Sequence, residues 1–415
     1  MSLDSTLKSR LAAVVTSRSL LNGRRRLHEL RRRIRNADHD VHYFHDTADP
    51  YSSLTAQILQ RFQDRFDIRL RPHLISGPPL DAIPDPLAHG HNAQKDAMRV
   101  AQQLGLQVPQ IPDRQAVTRA NGLLAACLGA KDFSVRLRKI SAALWSGGPL
   151  PSGESVTPTQ VMARGDQTLA KLGHYLGATF YYGGEWYWGT DRLHYLEHRL
   201  QQLGLGADGA SILPPPDLPM NLQKAPQKEL EFFFSFRSPY SYLAFDRVQR
   251  LARRHGAKLS LRPVLPMLMR GLPVPRVKSR YILRDCAREA RRLGIPFGRI
   301  CDPLGTGVER GYALFDYADS QGRLAAYCST FMRSVWSAGV DAATDKGLSR
   351  IVAESGLDWR VAQPLLSNTD WRDRVETNQN RLQDIGLWGV PSFRVGGESV
   401  WGQDRLWAVS NLLRD

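Results

Sequence analysis

The apolar run from Leu230 to Phe236 is short and continuous, the pattern of a buried strand. From Tyr240 to Leu251 apolar residues recur at helical spacing, so Ser238-Pro239-Tyr240-Ser241 falls at a strand-to-helix junction. Pro239 fits the first helical turn, where its missing N–H costs nothing. Unpaired N–H groups and the positive end of the helix dipole suit that junction to an anion such as a thiolate. Asp40 to Asp46 likewise reads as a strand, and Thr47 to Phe62 as a turn followed by a helix.

These two stretches pair Asp49-Pro50-Tyr51-Ser52 with Ser238-Pro239-Tyr240-Ser241 at an offset of 189 residues. Arg71-Pro72-His73-Leu74 then corresponds to Arg262-Pro263-Val264-Leu265, and Leu104-Gly105-Leu106 to Leu293-Gly294-Ile295. Near the ends, Gly177 to Leu193 matches Gly389 to Leu406, with Asp191 and Asp404 offset by 213, so the second copy is longer in its middle. A period this long indicates a duplicated domain; solenoid repeats run to about 20–50 residues. Three prolines, Pro214 to Pro216, with Pro219 and Pro226, mark a semi-rigid linker between the copies. The expected layout is a basic helical arm at 1–39, a first domain at 40–203, the linker at 204–228 and a second domain at 229–415. Each domain reads strand, helix, strand, a long helical middle, then two strands and a helix. In the second, Arg276 to Leu293, Arg323 to Ala338 and Asp370 to Gln383 are helical segments. Gly183-Gly184 and Gly396-Gly397 are two-residue hairpin turns. The fold class is therefore α/β, with two tandem thioredoxin-like domains, each interrupted by a helical insertion.

Composition narrows the function classes. At 415 residues, 42% hydrophobic and 23% charged, the chain reads as an ordinary soluble protein. No apolar stretch approaches the ~20 residues of a membrane helix, so no membrane span is expected. Nothing at the start reads as a secretory signal: Leu11 to Val15 is short, and Arg24-Arg25-Arg26 follows it. No two of Cys127, Cys286, Cys301 and Cys328 stand three residues apart, which argues against a CxxC pair and a cysteine zinc site; a reducing cytoplasm is the expected compartment. His42, His45, His73, His89 and His91 lack metal-ligand spacing, so no metal is expected.

The net charge of +16 attracts anions, and nine arginines precede residue 40. A nucleic-acid or membrane-surface arm is one reading. A helix with a solvated basic face, packed through Leu20, Leu21, Leu27, Leu30 and Ile34, is the expected one, because no aromatic residues interleave as nucleic-acid binding would favour.

A strand, a tight turn and a helix opening in X-Pro-X-X is also where thioredoxin-like proteins carry Cys-X-X-Cys; here both cysteine positions are serine. Across Phe232 to Ala244, Val277 to Phe297 and Gly389 to Leu406, the second copy resembles the 2-hydroxychromene-2-carboxylate isomerases and the related kappa-class glutathione transferases, within the DsbA-like thioredoxin superfamily. The resemblance implies a glutathione-dependent enzyme in which Ser238 hydrogen-bonds the glutathione sulfur and favours its thiolate. It implies that Val390-Pro391 is the cis-proline site whose backbone holds glutathione's cysteine unit, although Val-Pro before a strand is by itself an ordinary trans turn. It implies that Gln403 and Asp404, at the opening of the last helix, grip the γ-glutamyl end; Asp404 also reads as a plain helix cap. Lys278 would steer a substrate carboxylate, or form a surface pair with Asp285 while Tyr281 joins the core. The sequence departs from the family in LPMLMRGLPVPRVK, which is short and lacks the asparagine that helps hold glutathione.

In the first copy Asp49 stands for Ser238, and Ala178-Thr179 is aligned with Val390-Pro391. A carboxylate there repels a thiolate. The first copy is therefore expected to be a non-catalytic partner, the copies pairing within one chain or across a homodimer. Four functions follow: a glutathione-dependent isomerase acting on an aromatic carboxylate, a kappa-like transferase, a DsbA-type disulfide oxidoreductase, or a non-catalytic binding protein. The third lacks the thiolate that disulfide exchange requires.

Overall fold

The computed structural model describes residues 3–216 and 228–414. Of the expected 204–228 linker, residues 217–227 lie outside that description. The chain divides into two compact units. The first comprises residues 22–216 with 275–278; the second comprises 3–21, 228–274 and 279–414.

In the first unit β1 (Asp40–His45) lies between β2 (Arg69–Leu74), its parallel partner, and β3 (Thr179–Tyr182), which runs antiparallel and pairs in turn with β4 (Glu185–Trp188). In the second, β5 (Glu229–Phe234) lies between parallel β6 (Lys258–Pro263) and antiparallel β7 (Ser392–Val395), with β8 (Glu398–Trp401) outermost. Strand order and sense are the same in both. Asp40 faces Arg69 as Glu229 faces Lys258, so the offset of 189 holds on both strands of the parallel pair.

The chain-end alignment is corrected by the register. Thr179 pairs with Trp188 as Ser392 pairs with Trp401. Gly189 N donates to Ala178 O at 2.7 Å, as Gly402 N does to Pro391 O at 3.0 Å. Ala178 therefore occupies the place of Pro391, and Gly177 that of Val390, one residue from the alignment read along the sequence. The Val390-Pro391 bond is cis, whereas Ala178 takes a left-handed φ of 53°.

Both strand-to-helix junctions are capped by the residue the sequence places there. Asp49 accepts from the Tyr51 and Ser52 N–H groups ahead of the Pro50–Arg65 helix. Ser238 accepts from Ser241 N ahead of the Pro239–His255 helix, which Gly256 ends in the left-handed conformation. The core of the second unit is aromatic along β5 and just beyond it: Phe232 stacks on Phe393 with centroids 5.1 Å apart, and Phe236, past the strand end, on Phe331 at 4.0 Å. Such pairs add about 0.5–1.5 kcal/mol to area burial. The Arg276–Leu293 helix forms as expected; Leu324–Arg333 continues into a π-turn at Ser334–Ala338, and the next segment spans Trp371–Asp384.

The expected arm is two helices, Leu3–Thr16 and Arg18–Ile34, and the division between units falls after residue 21. Its packing face keeps the expected Leu20 and Leu21, both half-buried, and departs from the expected one beyond them. Leu27, Leu30 and Ile34 are 45, 55 and 75% exposed, while Glu29 is 9% exposed. Arg25 makes two bonds to Glu185, and Glu29 accepts from Tyr182 and Arg32. The helix is seated by charged side chains that find partners on β3 and β4.

Candidate functional site

The Ser238 hydroxyl sits at the start of the Pro239–His255 helix and is half-buried. Its Oγ accepts from Ser241 N at 3.1 Å and donates to Val390 O at 3.3 Å. One oxygen thus joins the helix start to the turn that precedes β7. Gly389 is required in that turn, because a Cβ there would meet Trp401 at 2.2 Å. Ser241 is fully buried and accepts from Ser235 N, a structural position. Beside Ser238, Arg237 pairs with Asp302 through three short contacts, and Arg270 donates to Trp388 O just ahead of Gly389. Arg270 lies in the shortened segment without asparagine, where no periodic or motif signal marks it. Burial holds its guanidinium below the ordinary arginine range.

Other expected site residues lie in different surroundings. Gln403 is buried, its Oε1 accepting from Arg247 and its Nε2 donating to Glu289 at 2.8 Å. Burial and the nearby Arg292 push Arg247 down to about 10, against the attraction of Glu289. Asp404 stands in the turn after Gly402, two residues ahead of the last helix, which begins at Leu406. Lys278 belongs to the four residues that cluster with the first unit, and its Nζ donates to Ala82 O at 2.8 Å. Burial lowers its pKa. Asp285 is buried and takes bonds from Tyr240 at 2.8 Å, with Arg288 3.6 Å away, in place of a surface pair with Lys278. Tyr281 is buried, as its core reading expects. The structure brings together Ser238, Val390 and Pro391; it places Gln403 in a buried polar network and Lys278 at a backbone carbonyl.

The four cysteines are free thiols. Burial, with Asp341 and Asp302 nearby, pushes Cys301 up to about 11, and burial raises Cys127 and Cys328 as well. Among the described residues no group of three or more His, Cys, Asp or Glu could hold a metal ion, and no helix is long and apolar enough to cross a membrane.

Residues 229–414 match the family model of the DSBA-like thioredoxin domain. The second unit's sheet and its helical insertion are this domain. Curated relatives are 2-hydroxychromene-2-carboxylate isomerases. The one from Pseudomonas putida is 28% identical over 197 residues, covering 44% of this chain and 93% of the relative. That from Sphingobium xenophagum is 24% identical over 198 residues, covering 45% and 99%. Among solved structures, a 2-hydroxychromene-2-carboxylate isomerase shares 26% identity over 44% of this chain and 92% of its own, with a TM-score of 0.39. In the DSBA-like domain of this chain, serine caps the helix that opens the site and a cis-proline faces it.

Proposed function

We propose that the DSBA-like domain is a glutathione-dependent isomerase of the 2-hydroxychromene-2-carboxylate type, acting on a small aromatic carboxylate. The observation that carries this reading is the Ser238 hydroxyl, held at a helix start and aimed at the Val390 carbonyl. Glutathione fits the residues present: a hydroxyl donor, a helix N-terminus and the turn at half-buried Val390 converge where a sulfur anion would lie. Bound there, glutathione supplies a nucleophilic sulfur.

The protein's part is to hold that sulfur ionised and aligned. Ser238 transfers its hydrogen bond from Val390 O to the sulfur, and the helix dipole adds roughly 0.3–1 kcal/mol, lowering a thiol that titrates near ~8.5 in water. Val390 and Pro391 present backbone to the cysteine unit. Asp404, with its side chain partly exposed, is the acceptor for the γ-glutamyl ammonium. Gln403 acts as a positioning residue, fixing the turn that carries Asp404 through Arg247 and Glu289. Lys278 has no part in this reading, because its ammonium lies against Ala82. Arg237 and Arg270 are the cations beside the site for a substrate carboxylate.

A kappa-like transferase would use the same site and differ in releasing a conjugate. Disulfide exchange is disfavoured, since burial pushes the Cys127, Cys301 and Cys328 thiols toward their protonated form and the helix start carries serine. We also read the first unit as a diverged copy of the same domain, supported by the shared strand order and the common offset in register. The test is turnover of 2-hydroxychromene-2-carboxylate with and without glutathione, alongside calorimetric titration with glutathione. Glutathione-dependent turnover without a stable conjugate is expected; no binding and no glutathione stimulation would sink the reading.

A further inference from the structure

The first unit has a cavity of about 260 Å³ at the start of its Pro50–Arg65 helix, apart from the Ser238 site. Its size falls just below the ~300–1,000 Å³ of ordinary small-molecule sites. Most of the wall is apolar, with Ile83, Leu80 and the rings of Tyr51 and Trp188, which meet edge to face at 5.6 Å. Two carboxyls, Asp46 and Asp49, close one end.

The two acids are not equivalent. Asp49 is occupied by the helix it caps, accepting from Tyr51 N, Ser52 N and the Ser52 hydroxyl. Asp46 is 8% exposed and accepts from Ala48 N through Oδ1 alone; among the described residues nothing donates to Oδ2. Gly77 and Gly177 are the reason the carboxyl fits: a Cβ on Gly77 would lie 3.2 Å from Oδ2, and one on Gly177 would lie 2.7 Å from the Asp46 Cβ. Oδ2 is therefore the acceptor left open to a ligand in the cavity, and a donor placed there satisfies it.

The charge around the carboxyls selects the donor. Burial first, then the Asp49 and Asp166 carboxylates, resist ionisation of Asp46, so a cation placed beside it is what lets its carboxyl carry charge. His89, on the wall, is held at about 4 by burial and by the nearby Lys278 charge, and is therefore neutral at pH 7. An ammonium group gains the most there, pairing with Asp46 Oδ2 while aromatic faces receive its cationic head and its hydrocarbon body. We propose that this cavity binds a small organic amine with one ring or an equivalent apolar body, its ammonium held by Asp46. The first unit thereby becomes a ligand-binding domain in its own right. The proposal does not depend on glutathione chemistry at Ser238.

The full-length protein is titrated calorimetrically with 2-phenylethylamine, and with 2-phenylethanol and phenylacetate as probes of equal body and different head. Saturable amine binding, roughly tenfold or more tighter than either control, is expected. Asp46→Asn, which keeps shape and removes charge, should weaken it by about tenfold or more. Ala93→Leu fills the cavity and leaves both carboxyls in place, so it should abolish binding even if Asp46→Asn proves too unstable to titrate. Ser238→Ala should leave amine binding unchanged, which separates this site from the other. Absence of amine binding, equal binding of the alcohol, or undiminished binding by Ala93→Leu or by folded Asp46→Asn overturns the proposal.

Discussion

Ser238 Oγ lies 3.3 Å from Val390 O across 152 positions of sequence and also accepts from Ser241 N. The hydroxyl therefore serves the helix as a cap and the site as a donor, and two substitutions separate these roles. Ser238→Ala removes both: a stability loss of about 0.5–2 kcal/mol is expected, with a fall of roughly tenfold or more in kcat/KM for glutathione-dependent turnover. Ser238→Asp reproduces the cap that Asp49 makes in the first unit but places a carboxylate against the sulfur. It should keep stability within about 1 kcal/mol of wild type and still lose glutathione binding. Urea denaturation beside titration checks both. Unimpaired binding by Ser238→Asp contradicts the assigned role.

Gln403 and its neighbour Asp404 should part company. Removing the amide in Gln403→Leu takes one hydrogen bond each from Arg247 and Glu289 in a buried network, so a loss of about 1–3 kcal/mol in stability is expected. Asp404→Asn, in a partly exposed turn, should change stability by no more than about 0.5 kcal/mol while weakening glutathione roughly tenfold. Thermal melts and titration of both variants decide the matter. If Asp404→Asn binds glutathione normally, the γ-glutamyl contact lies elsewhere.

What could be read from the residues was local. Pro50 and Pro239 after Asp49 and Ser238 announce capped helix starts, and the offset of 189 survives in the strand registers because both strands lie on the near side of the inserted helices. The one-residue error at Ala178 departs from the offset of 213 that pairs Asp191 with Asp404 and already sets Ala178 against Pro391; what the residues do not record is that a left-handed alanine fills the turn that holds a cis-proline in the second unit. Asp46 looked like the last residue of a strand, since what makes it a cavity acid is the absence of Cβ atoms at Gly77 and Gly177, remote in sequence. Lys278 matched a motif by spacing, yet its reach to Ala82 is set by tertiary packing.

The N-terminal helix supplies an inverse of the usual expectation for a hydrophobic stripe. Glu29 is nearly buried among Tyr182 and Arg32; burial opposes its ionisation, but those bonds outweigh it and hold its carboxyl below the ordinary range. Leu30, next in sequence, is mostly exposed. Glu29→Ala should cost about 1–3 kcal/mol, because Tyr182 and Arg32 each lose a carboxylate acceptor and are left with His39 and Ala37 O, whereas Leu30→Ser should fall within about 0.5 kcal/mol of wild type. Chemical denaturation of the two variants tests it. A greater loss from Leu30→Ser would restore the leucine face as the packing surface.

The acid pair makes stability depend on pH in a definite sense. Burial, then repulsion from Asp49, raises Asp46 to about 7, and burial raises Asp49 to about 6. Because these folded-state values lie above the unfolded ones, the pair favours the native state fully below about pH 4, and that contribution fades as pH rises through 6 to 7. His45 and His174 act in the opposite sense: burial holds both near 3, so native stability is gained as pH rises toward the unfolded histidine value near ~6.5. The wild-type profile mixes the two, and the comparison of Asp46→Asn with wild type isolates the acids. An amide has no proton to lose, so the variant should gain on wild type between pH 5 and 8, by on the order of 2 kcal/mol, and hold a constant lead above that. Urea midpoints across that range are the measurement. A difference that stays flat with pH would mean that Asp46 ionises in the folded protein as freely as in water.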